Sequence, residues 1–423
     1  MTKRVVEHAT CLGCGCACDD IAVVVDGDRI AEARNTCALG RAWFADGSVP
    51  RETRSGGKVV APDVALADAA KLLGRAERPL VYLAPDISCE TQRAAVAIAD
   101  RLGALLDSPT GEIAAGILAS QRRGRAAATL GEIRQRADLV VFWGVDPADR
   151  YPRYASRYAV DPPGLQAPDG RNSRRVVAVD VGPSRGAADA DERVAIAPED
   201  EIDALALMRA VVLGRGIGDG TVARVATGLA TQMMRARYVA LVHDAEPSQR
   251  GSPLPLPLHP DSGEALIALA QALNGPARCA LSSLRAGGNR SGADAVATWQ
   301  TGFPFAVDFA PGYPCYRPHA GAAVLLARGE IDVALLVGSP AGVPQGVAAT
   351  LAHVTTIVIG PRASAAPFRP KVAIDTGVAG IHEGGTAFRM DDLALPLRPA
   401  LSGPSVAADV VRALAARLTK GRS

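Results

Sequence analysis

The chain has 423 residues, 48% of them hydrophobic and 21% charged, a globular balance that excludes disorder and leaves room for two or three domains with their own cores. Its 46 basic and 44 acidic residues leave a net charge of +2, too even to imply nucleic acid or an anionic membrane as partner. No apolar run approaches the roughly 18 residues of a membrane helix, and the opening MTKRVVEHATCLG has no apolar leader core, so a cytoplasmic protein without a secretory signal is expected.

Five of the eight cysteines come first, at Cys11, Cys14, Cys16, Cys18 and Cys37. In a reducing compartment such clustering points to metal ligation rather than disulfides. The segment closes in a polar, glycine-containing stretch at 48–58. Helix and strand patterns then alternate. Residues 64–73 have helical apolar spacing, 79–84 (PLVYLA) read as a buried strand, and 90–102 as a helix closed by Gly103. A second strand is predicted at 104–106, a helix at 132–136, and a strand at 138–143 (DLVVFW) ending at Gly144. The Pro/Gly-rich interval 161–172 reads as an exposed loop.

A strand at 175–180, an acid-led helix at 199–213 and a Pro-rich linker at 253–260 follow. Next come a helix at 263–273, a strand at 278–281 and a Gly/Asn-rich loop at 285–292. The last part contains a helix at 320–327, strands at 333–337 and 355–359, and a terminal helix at 406–418. Short apolar strands alternating with helices predict an α/β fold with parallel sheets covered on both faces. Ligands in such sheets sit beyond the carboxyl ends of strands. Those ends carry Gly144-Val145-Asp146-Pro147, Asp180-Val181-Gly182-Pro183 and Gly338-Ser339-Pro340. Glycine and proline also simply turn a chain out of a sheet, and each of these ends admits that reading.

Cys11-x2-Cys14-x3-Cys18, with Cys37 further on, would gather four soft donors at one centre. A [4Fe-4S] cluster, a structural zinc and unliganded cysteines are the three readings; a single C-x2-C pair weighs against a zinc ribbon. Cys16 does not fit the spacing. Cys89, Cys279 and Cys315 read as small buried hydrophobes. His319 and His382 stand alone, the adjacent Asp19 and Asp20 point apart, and the arginines at 122–125 read as a solvated loop. Trp143, Trp299, Phe303 and Phe305 read as packing residues. No G-x-G-x-x-G follows a first strand, which argues against a nicotinamide-dependent dehydrogenase.

Five stretches carry a family resemblance: CLGCGCACDDI with NTCALG, LGEIRQRADLVVFWGVDPADRYPRYASRY, VVAVDVGPSRGAADADERVAIAP, the long GGNRSGADAVATWQTGFPFAVDFAPGYPCYRPHAGAAVLLARGEIDVALLVGSP, and GIHEGGTAFRMDD. Over nearly its whole length the chain resembles the B subunit of formylmethanofuran dehydrogenase, within the molybdopterin oxidoreductase superfamily. The resemblance implies a small N-terminal iron–sulfur-type domain at 1–55 and two doubly wound, Rossmann-like domains. One is discontinuous, 56–125 with 300–423, and the other, 126–299, is inserted in it. The C-terminal β-barrel of longer superfamily members is expected to be lacking. Cys11, Cys14, Cys18 and Cys37 are the implied cluster ligands. Gly144, Asp146, Asp180, Gly288, Asn289 and Gly338 are the implied wall of a cleft for a tungsto- or molybdo-bis-pterin guanine dinucleotide.

The chain departs from the family where the metal's Cys or selenocysteine, followed by a His, is expected. Residues 107–121 contain neither Cys nor His. Ser108 or Glu112 could offer an oxygen ligand in its place. This departure resembles the B subunit of the methylotroph formyltransferase/hydrolase complex, in which formyl groups pass from tetrahydromethanopterin to a furan carrier and a hydrolase releases formate. The expectation is a structural subunit of one-carbon metabolism, with no catalytic residue of its own and the pterin–metal centre absent. Its implied partners are a metallohydrolase-type A subunit, a C subunit and a formyltransferase D subunit. The alternative is an active formylmethanofuran or formate dehydrogenase subunit with a non-cysteine metal ligand.

Overall fold

The computed structural model describes residues 3–113, 115–246 and 261–418, so the Pro-rich stretch at 253–260 lies outside the described residues. The chain divides into two compact units, residues 1–112 with 287–423, and residues 113–286.

In the first unit, five parallel strands form the centre of a nine-stranded sheet. In chain order they are Pro79–Leu83, Leu105–Asp107, Val333–Val337, Thr355–Gly360 and Val372–Asp375. Their spatial order is 2-1-3-4-5, the flavodoxin-like arrangement, whose switch point lies between the first and third strands. All five residues of Pro79–Leu83 are buried because helices cover both faces, which is why the strand reads as an unbroken apolar run. Val81 and Leu83 pack under the helices Pro62–Leu73, Cys89–Leu102, Arg290–Thr301 and Ala407–Arg417. Leu80 and Tyr82 face Ala322–Ala327 and Gln345–Leu351. The helix Cys89–Leu102 begins at Ser88, whose Oγ accepts from Thr91 N–H at 3.3 Å, and stops at Gly103 with φ +64°.

Two smaller sheets complete this unit. Arg4–Ala9, Ile21–Asp26 and Arg29–Arg34 form an antiparallel three-stranded sheet around the cysteine segment. Gly385–Phe388 and Ala394–Leu397 form a hairpin.

The second unit holds five strands, all parallel: Leu139–Trp143, Arg175–Val181, Glu192–Ile196, Tyr238–Asp244 and Arg278–Leu284. Their order is 3-2-1-4-5, that of the dinucleotide-binding fold, with its switch point between the first and fourth strands. Leu139, Val141 and Trp143 pack against the helices Glu201–Val212, Thr221–Arg235 and Ser262–Leu273. The fully buried Glu201 accepts from Trp143 Nε1–H at 2.8 Å and from Ser262 Oγ–H at 2.7 Å.

The α/β reading is borne out; several local expectations are not. The loop expected at 285–292 contains the start of a helix, Arg290–Thr301, with Asn289 fully buried at its cap. The interval 161–172 is pinned rather than loose: the buried Arg174 guanidinium donates to Val160 O at 2.8 Å and Pro162 O at 2.5 Å. Arg122 and Arg123 close the helix Ala115–Arg123 and pair with Glu264 at 2.6 and 2.8 Å instead of lying in a solvated loop. Trp299 is 62% exposed and so is no core residue, although its ring meets Phe388 edge-on at 5.4 Å. Cys315 is half-buried in a two-residue edge strand. Among the described residues, no helix is long and apolar enough to cross a membrane.

Candidate functional site

The cysteine loop leaves the first strand of the N-terminal sheet and returns into the second. Cys11 N–H donates to Cys18 O at 2.8 Å and Ala17 N–H to Cys14 O at 3.1 Å, closing a tight loop between them. Cys11, Cys14, Cys16 and Cys18 are buried. The half-buried Cys37 is the N-cap of the short helix Ala38–Phe44. Burial raises the Cys11 thiol well above its usual range; the Gly13 N–H, 3.4 Å from its sulfur, opposes that, and Cys14, Cys18 and Cys37 add to it by charge repulsion. Cys16 is raised too, first by its hydrogen bond with Cys14 and then by burial, while the Arg389 charge pulls the other way.

Four thiols close enough to repel one another as anions suit a metal centre, which supplies the compensating positive charge and needs them deprotonated. Among the described residues, no three or more His, Cys, Asp or Glu side chains converge on a single ion position.

Two distant segments hold this loop by its backbone. Gly288 N–H donates to Leu12 O at 2.7 Å, and Met390 N–H to Gly15 O at 3.0 Å. Gly287 lies so close that a Cβ there would sit 2.6 Å from Gly13 O. Gly40, in the Cys37 helix, is needed for the same reason, since its Cβ would fall 1.9 Å from Thr36 Oγ1 and 3.2 Å from Cys11 Sγ. On the other side of Met390, Arg389 and Asp391 form a buried bidentate pair, both bonds 2.7 Å.

The switch point of the first unit lies beside this loop. Gly338, at φ +114°, ends the third parallel strand, and its Cβ would meet Ala84 Cβ at 2.7 Å. Asp86, just past the first strand, accepts from Ser339 N–H at 2.8 Å, and desolvation pushes its carboxyl up to about 6. Gly288 (φ +86°) and Asn289 link the two. Asn289 N–H donates to Pro85 O, and its side-chain Nδ2 donates to Ile87 O at 3.0 Å while Oδ1 accepts from Phe388 N–H at 2.8 Å. The amide of Asn289 is thus taken up by the unit's own backbone.

Residues 107–121, where the family's metal ligand is expected, form the end of a strand, the turn Pro109–Ile113 and most of the helix Ala115–Arg123. Asp107 is buried, which pushes its carboxyl up to about 6, and it accepts from Ala322 N–H at 2.6 Å, Ser108 N–H at 2.8 Å and Ala306 N–H at 3.2 Å. Ser108 is also buried, and its Oγ accepts from Thr110 N–H at 3.3 Å. The Glu112 side chain lies outside the described residues.

The second unit carries the other three residues chosen from sequence. Gly144 (φ +59°) turns the chain out of the first strand. The Asp146 carboxylate caps the four-residue helix Pro147–Arg150 through Ala148 N–H at 2.9 Å and accepts from Ala188 N–H at 3.1 Å. Asp180, buried at the end of the second strand, holds Arg193 at 2.5 Å, Gly186 N–H at 2.9 Å and Arg185 at 3.1 Å. Across the switch point Asp244 pairs with Arg150 and accepts from Tyr151 Oη–H at 3.1 Å. Asp86, Asp244 and Arg389 carry no sequence signal beyond following an apolar run or standing in the GTAFRMDD stretch.

No family model matches the chain. Two curated proteins match it over nearly its full length. The B subunit of tungsten-containing formylmethanofuran dehydrogenase 2 from Methanocaldococcus jannaschii is 32% identical over 415 residues, 95% of each chain. The protein of the same name from Methanococcus maripaludis is 30% identical over 419 residues, again 95% of each. Among solved structures, a chain of the formyltransferase/hydrolase complex from Methylorubrum extorquens, crystallised with methylofuran, matches with a TM-score of 0.71 at 25% identity. The match covers 86% of this chain and 98% of that one, and the mixed α/β fold with several sheets is common to both.

Proposed function

The chain belongs to the family of formylmethanofuran dehydrogenase B subunits, and from that premise we propose that it is the B-type component of a formyltransferase/hydrolase complex, a scaffold that has lost the tungsten or molybdenum redox site. The carrying observation is the chemistry of residues 107–121. The stretch has no Cys or His, and the oxygen atoms of Asp107 and Ser108 are engaged with backbone N–H groups. A protein ligand to a heavy group-six metal would be a soft or unengaged donor, and the described side chains of this stretch offer none. In this reading Asp180 and Asn289, which the family resemblance put against a pterin dinucleotide, brace the fold.

Cys11, Cys14, Cys18 and Cys37 are the residues that would hold a [4Fe-4S] cluster, which when bound supplies one-electron transfer or, without a redox partner, a cross-link for the N-terminal segment. The chain's own residues supply the cage: Gly13 N–H faces Cys11, and the 288 and 390 amides fix the loop. The reading includes an N-terminal cysteine segment and two α/β units, residues 1–112 with 287–423 and residues 113–286. It places the protein in the cytoplasm with a metallohydrolase-type A subunit, a C subunit and a formyltransferase D subunit, in one-carbon metabolism. The matched multi-subunit complex supports partner subunits in general.

A second reading, an active dehydrogenase subunit, is favoured by the relatives' name, which specifies tungsten. Elemental analysis and viologen-linked formate oxidation on anaerobically purified complex separate the two. Iron without tungsten or molybdenum, and no formate oxidation, is the expected result. One heavy metal per chain with formate-dependent viologen reduction would overturn the scaffold reading.

A further inference from the structure

The amino-terminal end of the first unit's large sheet, away from the switch point, carries a separate cleft. Its volume is about 780 Å³, within the range of small-molecule sites. The strands Thr355–Gly360 and Val372–Asp375 start at its floor, and the hairpin of Thr53–Ser55 and Lys58–Val59 forms one wall. The lining includes Arg54, Arg369 and Lys371 but no Asp or Glu. In a chain whose 46 basic and 44 acidic residues nearly cancel, that is a local excess of positive charge.

Most arginine side chains that form ion pairs in this protein are matched by a carboxylate in the same unit. Arg54 is one of them, paired with Glu52 at 2.6 Å. Arg369 and Lys371 have no carboxylate partner among the described residues. Both stand on fixed backbone. Lys371 N–H donates to Thr356 O at 2.7 Å, and Gly56 N–H donates to Lys371 O at 2.9 Å. Phe368, next to Arg369, is buried and anchors the segment. At the mouth, Gly56 and Gly57 turn the hairpin with positive φ, and no atom lies within 4 Å of where their Cβ atoms would stand. The tip therefore leaves the approach open.

Two cations on a fixed backbone, with the hydroxyls of Thr355, Thr356 and Ser364 in the same lining and no carboxylate among the lining residues, favour a ligand with concentrated negative charge. We propose that this cleft binds a small oxyanion carrying two or more charges on phosphate or carboxylate groups, held by Arg369 and Lys371. The site stands apart from the cysteine loop and from the switch point of its own unit, and it does not depend on the scaffold reading.

Titration calorimetry on the full chain with pyrophosphate and, separately, citrate tests it, with potassium chloride at matched ionic strength as the blank. Saturable binding of at least one probe is expected, weakened about tenfold or more in the Arg369→Gln/Lys371→Gln variant, as loss of charge-assisted hydrogen bonds implies. The probe that binds identifies phosphate or carboxylate as the group recognised. Lys58→Gln, outside the lining, should leave binding unchanged. No saturable binding of either probe below about 1 mM, equal binding by the double variant, or equal weakening by Lys58→Gln would overturn the proposal. So would a double variant that loses a partner subunit while neither probe binds the parent, since the surface would then recognise protein.

Discussion

Asn289 tests the structural account most sharply, because two nearly isosteric changes should separate in a pH-dependent way. Its Nδ2 faces only acceptors: Ile87 O at 3.0 Å, Cys89 Sγ and Thr386 O at 3.4 Å, and Gln92 Oε1 at 3.5 Å. Its Oδ1 receives Phe388 N–H at 2.8 Å. Asn289→Ala leaves the Phe388 N–H and the Ile87 carbonyl buried without partners, at about 1–3 kcal/mol each. A loss of about 3 kcal/mol lowers the unfolding midpoint of a unit this size by roughly 6–12 °C. Asn289→Asp keeps the acceptor for Phe388 but turns the second oxygen towards carbonyls. The new carboxyl would therefore hold its proton in the folded state, with its pKa above the unfolded value of about 3.9. A raised acid pKa means that stability falls as pH rises from the unfolded value to the folded one, by about 1.4 kcal/mol for each pH unit between them. Asn289→Asp should thus be less stable than Asn289→Ala at pH 8 and recover towards it near pH 4.5. Urea unfolding followed by tryptophan emission reads this directly, since Trp299 lies 5.4 Å from Phe388. Equal stability of parent and Asn289→Asp at pH 8, or a pH profile parallel to the parent's, would refute the hydrogen-bond argument.

Three further outcomes are expected. Glu383 is buried, which pushes its carboxyl up to about 7, and it accepts from Ala407 N–H at 2.6 Å. The parent should lose stability between about pH 4.5 and pH 7, and Glu383→Gln, which keeps that acceptor, should be flatter and up to about 3 kcal/mol more stable at pH 8 by chemical denaturation. Glu201→Ala strips acceptors from Trp143 and Ser262 and should destabilise the second unit by about 2–4 kcal/mol with a shift in Trp143 emission; unchanged emission and midpoint would count against the network. Gly40→Ala drives a methyl into Thr36 and towards Cys11, so iron per chain after anaerobic purification should drop while the second unit's unfolding stays as in the parent.

The parts of the fold legible in the chain are those dictated by local chemistry. Pro79–Leu83, Leu139–Trp143 and Val333–Val337 are continuous apolar runs because both faces of their sheets are covered. Two of the three N-terminal strands are not legible. Arg4–Ala9 and Arg29–Arg34 are edge strands with largely exposed faces, so they lack the apolar alternation that marks a half-buried strand. Thr221–Arg235 also escapes sequence reading, since the glycine-rich stretch before it supplies no capping side chain. The cysteine spacing is readable because four donors of one type leave a signature in the chain itself. The bracing role of Asn289 is not, since its partners at 87, 386 and 388 are brought to it only by the tertiary fold. Asp107 stands in a stretch whose sequence shows only a missing ligand, and its role as a backbone acceptor depends on residues 306 and 322, which no local pattern connects to it.

The grip of Met390 on Gly15 has a consequence for how the protein is made. Those two positions leave the ribosome far apart in time: at about 5–20 residues per second, the later one appears roughly 20–75 s after the earlier. During that interval the clustered thiols near the N-terminus lack one of the segments that fasten their loop. If the loop holds a metal centre, nascent chains halted before residue 390 should retain less iron than the full chain.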